Sequence, residues 1–330
     1  MSIDPRRSLT ATIERFAVRG EFVIARGAKT HVDVVVATVT GGDAVGRGEG
    51  TAIYYRGETA ASVLAAVVGV ADAVAAGATR ADLLGLLPPG AARNAVDAAL
   101  WDLDAKRSGV PVWRTLGLPE PRPMLTAFTI SLGEPGAMAA AASAVAGREL
   151  LKVKLSGEGV VERVAAVRAA APDARLIVDA NEAWGGLDIE RLAAALADLD
   201  VELIEQPVPA GHDHLLDDVR SSVPLCADES VHDRASLDGV VGRYRFINIK
   251  LDKAGGLTEG HALAHAARAR GIGVMTGCML GTSLAIAPAF FVAMQGMYAD
   301  LDGPLLIADR AGGLRFAGSD VWPPEPGLWG

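Results

Sequence analysis

The chain has 330 residues, of which half are hydrophobic and 22% are charged, so it can form a large core and is not disordered. The formal net charge of -9 argues against nucleic acid or an anionic membrane as the main partner. The N-terminal residues contain no apolar run, and the two cysteines, Cys226 and Cys278, provide no disulfide framework. The sequence therefore predicts a cytoplasmic protein and leaves a homo-oligomer open.

The N-terminal part predicts strands followed by helices. Alternating residues from Ile13 to about Val39 indicate two strands around a tip at residues 26–29. Five glycines follow between positions 41 and 50. Because the Lys-Ser/Thr ending of a phosphate loop is absent, we interpret them as hairpin glycines.

Two helical patterns come next in the chain, at residues 59–76 and 91–108. The most apolar stretch, residues 60–78, is mostly alanine and is interrupted by Gly69 and Asp72. A membrane span needs about 20 strongly apolar residues. We therefore predict a buried helix here and no membrane partner.

Prolines between Pro119 and Pro123 predict a domain boundary, after which short apolar runs alternate with alanine-rich helical segments. The strand-like runs are 125–130, 150–155, 176–181, 201–205, 224–228, 246–250, 272–276 and one near Ala299. The helical segments include 160–171, 189–199 and 257–270. Eight strand–helix units predict parallel strands that close into a (β/α) barrel.

Acidic residues end three consecutive runs, with Asp179, Glu205 and Asp228 spaced by about one strand–helix unit. The C-terminal ends of barrel strands are where such folds hold their active sites. Three hard oxygen ligands without histidine or cysteine favour Mg²⁺ over zinc. The alternative is that each acid caps the helix that follows it.

Two lysines bracket these acids, since Lys154 lies one strand before Asp179 and Lys250 lies one strand after Asp228. In a closed barrel, this arrangement predicts lysines on opposite sides of a substrate held at the metal. Lys152 lies two positions before Lys154 and points the same way. The same alternation predicts that Asp252 points the same way as Lys250. A lone lysine at a strand end would more often be a surface side chain.

These residues make the chain resemble the enolase superfamily, in its muconate-lactonizing branch with a lysine on each side of the metal. The motifs that carry the resemblance are Lys152-Val-Lys154, Asp179-Ala-Asn181, Glu205-Gln-Pro207, Asp228-Glu-Ser230, Lys250-Leu-Asp252 and Gly255-Gly256-Leu257. Within that branch the chain is similar to the dipeptide epimerases, through residues 22–27, 88–103, 277–280 and 299–304.

The resemblance implies an α/β fold, a modified (β/α)8 TIM-type barrel over residues 119–311. It also implies an N-terminal α+β capping domain, residues 1–118, completed by the tail at 312–330. It further implies 1,1-proton transfer at the α-carbon of the C-terminal residue of a dipeptide, with L-Ala-D/L-Glu expected.

The resemblance also implies roles for individual residues. Lys154 and Lys250 are expected as the acid/base pair, and Asp179, Glu205 and Asp228 as the Mg²⁺ ligands. Lys152 is expected to contact the substrate carboxylate. The dipeptide slot is expected to be lined by Thr129 and by the backbone around Cys278 and Leu280.

Two further expectations concern the substrate. Asp300 and Asp302 lie two positions apart on the last strand and face the same way. Two adjacent carboxylates repel, so we expect them to bind the α-ammonium of a dipeptide, the alternative being a helix N-cap. Arg26, at the tip of the early hairpin, is expected to pair with an acidic side chain of the second residue.

The sequence motifs leave other functions open. Muconate cycloisomerase, o-succinylbenzoate synthase and N-acylamino acid racemase share the fold and the lysine pair, so the motifs do not separate them. A Schiff-base aldolase that uses Lys154 or Lys250 as nucleophile would resist EDTA and would be trapped by borohydride. A non-catalytic binding protein would not exchange substrate protons with D₂O.

Overall fold

The computed structural model describes residues 7–24 and 27–330. Its N-terminal part is an antiparallel sheet of three strands in the order β1–β2–β3, which confirms the strands predicted there. They are β1 (Ser8–Ile24), β2 (Gly27–Gly41) and β3 (Ala44–Thr51). Successive side chains of a strand point to opposite faces. Val34 of β2 accordingly joins the core shared with the rest of the chain, whereas Val35 packs against the N-terminal helices.

Five helices follow this sheet, and the first four of them cover one of its faces. They are α1 (Ala60–Gly69), α2 (Ala71–Ala75), α3 (Arg80–Leu86), α4 (Ala91–Ser108) and α5 (Val112–Thr115). The alanine-rich stretch is thus two short helices, and the prediction of a buried helix is wrong for their outer face. Val67 is fully buried, but Val68 is 56% exposed, because a helix on a sheet buries only one side. Within the described residues, no helix is long and apolar enough to cross a membrane.

The glycine run confirms the hairpin interpretation and adds a second role. The chain turns at Gly42, whose φ of +63° favours glycine. Three further glycines, Gly46, Gly48 and Gly50, alternate along β3 and face α4. A Cβ at any of them would lie 2.1 to 2.2 Å from a carbonyl oxygen of that helix. These glycines therefore let α4 lie directly against the sheet.

The rest of the chain is a barrel, which confirms the predicted fold class. A short strand, β4 (Met124–Leu125), precedes an eight-stranded sheet whose order follows the chain. Its strands are β5 (Phe128–Ile130), β6 (Leu150–Lys154), β7 (Arg175–Asp179), β8 (Val201–Glu205), β9 (Leu225–Ala227), β10 (Phe246–Ile249), β11 (Gly273–Gly277) and β12 (Tyr298–Asp300). The Ala127 N–H donates to the Ala299 carbonyl at 2.8 Å and joins the first and last strands.

Helices surround the barrel, but not after every strand. They are α6 (Pro135–Ala144), α7 (Val160–Ala170), α8 (Ile189–Ala197), α9 (Leu251–Ala254), α10 (Leu257–Ala269), α11 (Ser283–Ala293) and α12 (Gly303–Leu306). The three predicted helical segments are confirmed. After β8 and β9 the chain forms 3₁₀ turns, Asp213–Leu216 and Arg234–Gly239, where a regular barrel would have α-helices.

The C-terminal tail contacts both parts of the chain. Its strands, β13 (Phe316–Ala317) and β14 (Asp320–Val321), extend from β4 as a small antiparallel sheet. Farther on, the buried Trp329 indole donates to the carbonyl of Ala98 in α4 at 3.1 Å. The domain boundaries expected at residues 118 and 311 stay predictions.

Helix α4 also holds the barrel segment that follows β10. The Arg93 guanidinium donates to the carbonyls of Ala254 and Gly255, and the Asn94 amide donates to Asp252 Oδ1 at 2.9 Å. The inference that Asp252 points the same way as Lys250 is wrong, because β10 ends at Ile249 and α9 turns Asp252 toward the N-terminal part.

Candidate active site

The strand register brings the predicted acids and lysines to one end of the barrel. Lys154 of β6 is the Cα partner of Asp179 in β7, which is in turn the partner of Glu205 in β8. Asp228 follows the last residue of β9. Each side chain is therefore placed by the end of its own strand, as expected for parallel strands in a barrel.

The backbone after two of these strands adopts a conformation that L-residues rarely take. The φ angles are 43° at Asn181, 70° at Glu182 and 37° at Gln206. Each such position costs of order 1–3 kcal/mol and is found where the surrounding structure holds it. At Gln206, hydrogen bonds of the side chain hold the residue in place. Its Oε1 accepts the N–H of Asp228 at 2.7 Å, and its Nε2 donates to the carbonyl of Val208 at 2.8 Å.

Lysine ammonium groups lie among the acids. Lys152 Nζ is 2.7 Å from Glu205 Oε2, 2.7 Å from Asp300 Oδ2 and 3.3 Å from Asp179 Oδ2. Lys154 Nζ lies 2.6 Å from Asp179 Oδ2. The cluster pairs four ammonium groups with four carboxylates: Lys152, Lys154, Lys250 and Lys253 with Asp179, Glu205, Asp228 and Asp300. Its formal charge is balanced.

Burial and these neighbours shift the pKa values of the cluster. Burial opposes the charged form of Lys152, but Asp300, Glu205 and Asp179 outweigh it and hold the Lys152 pKa well above its usual value. Burial, followed by the charge of Asp179, raises the pKa of Glu205 to about 7. Burial also opposes ionisation of Asp228, yet Lys250 and Lys253 keep the pKa of that carboxyl well below its usual range. The acids thus depend on nearby positive charge.

The three acids have the chemistry of a Mg²⁺ site. All are buried carboxylates on neighbouring strands, and Glu205 Oε2, although close to Lys152, makes no hydrogen bond of normal geometry. In the described part of the chain, no three carboxylate, histidine or cysteine side chains are gathered closely enough to hold an ion as they stand. The reason is that ammonium groups occupy the carboxylate oxygens. The strand register places all three carboxylates at one end of the barrel, whatever rotamer each side chain adopts.

Lys154 and Lys250 face a common space. Both line two adjoining cavities at the C-terminal ends of the strands, together with Cys278, Met279 and Leu280. Their strands, β6 and β10, are four positions apart in the ring of eight. The sequence prediction that the two lysines lie across the barrel from each other agrees with this topology.

Two acids at the end of β12 lie beside the same space. Asp300 and Asp302 line the smaller cavity with Thr129 and Lys152. Asp302 Oδ2 accepts the backbone N–H of Thr129 at 2.7 Å, and Asp300 Oδ1 is buried without a hydrogen-bond partner. Burial, followed by the charge of Asp300, raises the pKa of Asp302 to about 7. Although Asp302 precedes α12, its side chain makes no capping hydrogen bond, which argues against the N-cap alternative.

Two residues of interest were missed by sequence reasoning. Lys29 lies at the start of β2, lines the larger cavity and places its ammonium 4.5 Å above the ring of Tyr54. Lys253 lies completely buried behind Asp228. Neither lysine lies at the end of a strand, so the pattern of charged residues at strand ends does not identify them. Arg26, predicted to reach over the mouth, lies outside the described residues.

The volume of a cavity does not identify this site. Two larger grooves, of about 470 and 520 Å³, lie beside α4 and between α7 and α8, and neither contains any of the predicted site residues. The convergence of charged strand ends identifies the site better than volume does.

A TIM-type barrel with acids on consecutive strands, lysines on both sides and a separate N-terminal sheet defines an enolase-type protein. Residues 7–117 match the mandelate racemase / muconate lactonizing enzyme N-terminal domain, and residues 137–325 match the enolase C-terminal domain-like family. The chain therefore belongs to the mandelate racemase / muconate lactonizing enzyme family of the enolase superfamily.

The chain is also similar to individual epimerases and racemases of this family. The chain is 45% identical to L-Ala-D/L-Glu epimerase of Escherichia coli K12, over 96% of this chain and 99% of that protein. It is 46% identical to N-acetyl-D-glutamate racemase of a Pseudoalteromonas species, over 76% and 79%. Among solved structures, an Agrobacterium tumefaciens enolase family member with homology to dipeptide epimerases contains sodium and L-Ala-L-Glu. It superposes with a TM-score of 0.95 at 51% identity, over 98% and 100% of the two chains.

A more distant structure contains a metal and a different dipeptide. The dipeptide epimerase of Enterococcus faecalis V583, complexed with Mg and L-Leu-L-Tyr, is 29% identical and superposes with a TM-score of 0.90. The match covers 97% of this chain and 98% of that one.

Proposed function

We propose that the protein is a Mg²⁺-dependent dipeptide epimerase that moves a proton at the α-carbon of the C-terminal residue, with L-Ala-D/L-Glu as its substrate pair. The observation that carries the proposal is that Lys154 and Lys250 line one cavity from strands four positions apart. Two bases on opposite faces of one carbon are what inversion of that centre requires. The similarity to L-Ala-D/L-Glu epimerase over 96% of the chain supports the substrate class.

The difficulty of the reaction is the charge that develops on the substrate. An α-proton beside an ionised carboxylate is very weakly acidic, because its removal leaves two negative charges on one small group. Asp179, Glu205 and Asp228 would hold Mg²⁺, which would supply Lewis-acid stabilisation of that charge. Lys152, whose pKa is held well above its usual value, supplies a permanent positive charge for the same carboxylate.

The two remaining lysines handle the proton. One lysine takes the α-proton from one face, and the other lysine returns a proton to the opposite face. In the structure each is paired with an acid, Lys154 with Asp179 at 2.6 Å and Lys250 with Asp228 at 2.6 Å. Each lysine must leave its carboxylate to act as a base, and a divalent cation on those carboxylates would favour that release.

The α-ammonium of the substrate fits the two acids at the end of β12. Asp300 Oδ1 is buried without a hydrogen-bond partner, and burial, followed by the charge of Asp300, raises the pKa of Asp302 to about 7. A substrate ammonium group would donate a hydrogen bond to Asp300 Oδ1 and would bring positive charge to both carboxylates. Muconate and succinylbenzoate precursors carry no such group, so the acid pair favours a free dipeptide over these substrates.

The acidic side chain of the substrate fits the larger cavity, which Lys29 lines. Lys29 is partly buried, burial lowers its pKa, and among the described residues no carboxylate forms an ion pair with it. Its position near Tyr54 and Lys250 would let it meet a glutamate side chain. With Arg26, this gives two candidate cations for the same group.

A second candidate is racemisation of N-acetylglutamate, favoured by the 46% identity to N-acetyl-D-glutamate racemase. That substrate has the same acidic side chain and α-carboxylate but no ammonium. The choice between the two functions therefore rests on Asp300 and Asp302.

Incubation with Mg²⁺ in D₂O tests both candidates. We expect deuterium uptake at the glutamate α-carbon and inversion for L-Ala-L-Glu, with much slower reaction of N-acetyl-L-glutamate. Equal or faster reaction of N-acetyl-L-glutamate would favour the racemase. Absence of exchange with either compound and with a wider dipeptide panel would contradict the proposal.

A further inference from the structure

A buried lysine outside the substrate cavity contacts the third acid. Lys253 lies in α9, is 0% exposed, and places its ammonium 2.5 Å from Asp228 Oδ1. The same ammonium also contacts the carbonyl oxygens of Asp228, of Val231 at 3.0 Å and of Asn248 at 3.1 Å. A buried charge without partners would cost several kcal/mol, so this lysine is fully committed to its four oxygens.

Two lysines therefore contact Asp228, and they differ in position. Lys250 contacts Oδ2 at 2.6 Å and lines both cavities, whereas Lys253 contacts Oδ1 and lines neither. Lys250 must leave Asp228 to exchange a proton with substrate. Lys253 has no access to the substrate and stays with the carboxylate throughout.

The need for a second lysine follows from the sheet. Asp179 and Glu205 are the last residues of β7 and β8 and are paired to each other in the ladder. Asp228 lies one residue beyond β9, whose ladder with β10 ends at Ala227. Asp228 is the one of the three acids without a strand partner, and Lys253 with Gln206 holds it from outside the ladder.

We infer that Lys253 is a positioning residue: it fixes Asp228 so that Oδ2 faces the metal site, and it stays in contact with Oδ1 while Lys250 is engaged with substrate. The inference rests on the proposed function, because it takes Asp228 to be a Mg²⁺ ligand. Groups that orient a metal ligand from behind are commonly worth about 10–100-fold in metal affinity.

Titration of the metal-free protein with Mg²⁺ by calorimetry tests the inference without any turnover. We expect Lys253→Met to weaken Mg²⁺ binding by about 10–100-fold. Lys106→Met is the matched control, because Lys106 pairs with the fully buried Asp102 at 2.7 Å in the N-terminal part. It should lower stability and leave Mg²⁺ affinity unchanged.

A steady-state readout separates positioning from a general loss of structure. At saturating Mg²⁺, we expect Lys253→Met to recover kcat, with an unchanged KM for the dipeptide and a raised Mg²⁺ requirement. An Mg²⁺ affinity equal to that of wild type in folded Lys253→Met would overturn the inference.

Lys253→Gln covers the case in which the methionine variant does not fold, because it keeps an N–H donor without the charge. If both variants fail to fold and saturating Mg²⁺ does not rescue them, Lys253 is purely structural and the inference is wrong. If wild type itself neither binds Mg²⁺ nor exchanges α-protons, the proposed function fails instead. The two failures are thus distinguishable.

Discussion

The barrel mouth contains two groups of acids that differ in their surroundings. The first group, Asp179, Glu205 and Asp228, lies on consecutive strands, and each member has a lysine within 2.7 Å. In the second group, Asp300 is the last residue of β12 and Asp302 lies two residues farther on. There Lys152 reaches only Asp300, and Asp302 accepts a backbone N–H.

The difference shows what each group is suited to bind. In the first group, Lys154 and Lys250 must leave their carboxylates in the proposed reaction, and the hard carboxylate oxygens suit a divalent cation. The second group has one unpartnered oxygen and a carboxyl whose pKa is raised to about 7 by burial and its neighbour. It lacks the third carboxylate of the first group, and it suits a single positive charge such as an organic ammonium.

The largest expected effect comes from removing one acid of the first group. Asp179→Asn, Glu205→Gln or Asp228→Asn should each lower kcat/KM by about 10³-fold or more, since a metal contributes several kcal/mol to such reactions. The measurement is L-Ala-L-Glu epimerisation followed by polarimetry, with circular dichroism as the check of folding. EDTA should reproduce the loss in wild type. Full activity after exhaustive chelation would contradict the metal role of this group.

The next effect concerns the lysines that bracket the first group. Lys154→Ala and Lys250→Ala should each lower epimerisation by about 10²–10⁴-fold, as expected for loss of a general acid or base. Each variant should still exchange the α-proton of one epimer with D₂O, and the two variants should differ in which epimer they use. Mass spectrometry of the separated epimers measures this. Interconversion of both epimers at near wild-type rate by either variant would exclude the two-base scheme.

A smaller effect is expected at the second group, and it tests the comparison directly. Asp302→Asn keeps an oxygen for the Thr129 N–H but removes the charge, so the fold should be retained. KM for free L-Ala-L-Glu should rise by about 10–100-fold, the worth of a charge-assisted hydrogen bond. Asp300→Asn should act in the same direction but also disturbs Lys152.

N-acetyl-L-Ala-L-Glu provides the control for the second group, because it has no ammonium. Its KM should change much less in Asp302→Asn. If the acetylated and free dipeptides react equally well with wild type, the ammonium site is wrong, and relatives that act on N-acylated substrates become the better guides.

The smallest expected effect is on substrate preference, and it comes from changing Lys29, which lines the larger cavity. Lys29→Ala should lower the preference for L-Ala-L-Glu over L-Ala-L-Gln by about tenfold, as the loss of one partly exposed ion contact implies. Arg26→Ala tests the residue that the sequence had selected for this role. Competition assays with both dipeptides measure the preference, and no change in either variant would remove the proposed acid recognition by these cations.

The sequence by itself determined the barrel, its strand ends and the charged residues on them. Short apolar runs that alternate with helical segments predict parallel strands, and side-chain alternation fixes which residues of a strand share a face. For the same reason Lys154, Asp179, Glu205 and Lys250 could be assigned to one end of the barrel before any contact was known.

Only the tertiary structure decided which oxygens and ammonium groups meet. Asp252 turns away from Lys250 because α9 begins where the strand was expected to continue, and Lys253 reaches Asp228 from that helix. The glycines of β3 are explained by α4, which lies 40 residues or more farther along the chain. Lys29 enters the cavity from a separate sheet. Periodicity reports how one segment is oriented, whereas contacts between distant segments depend on how the whole chain packs.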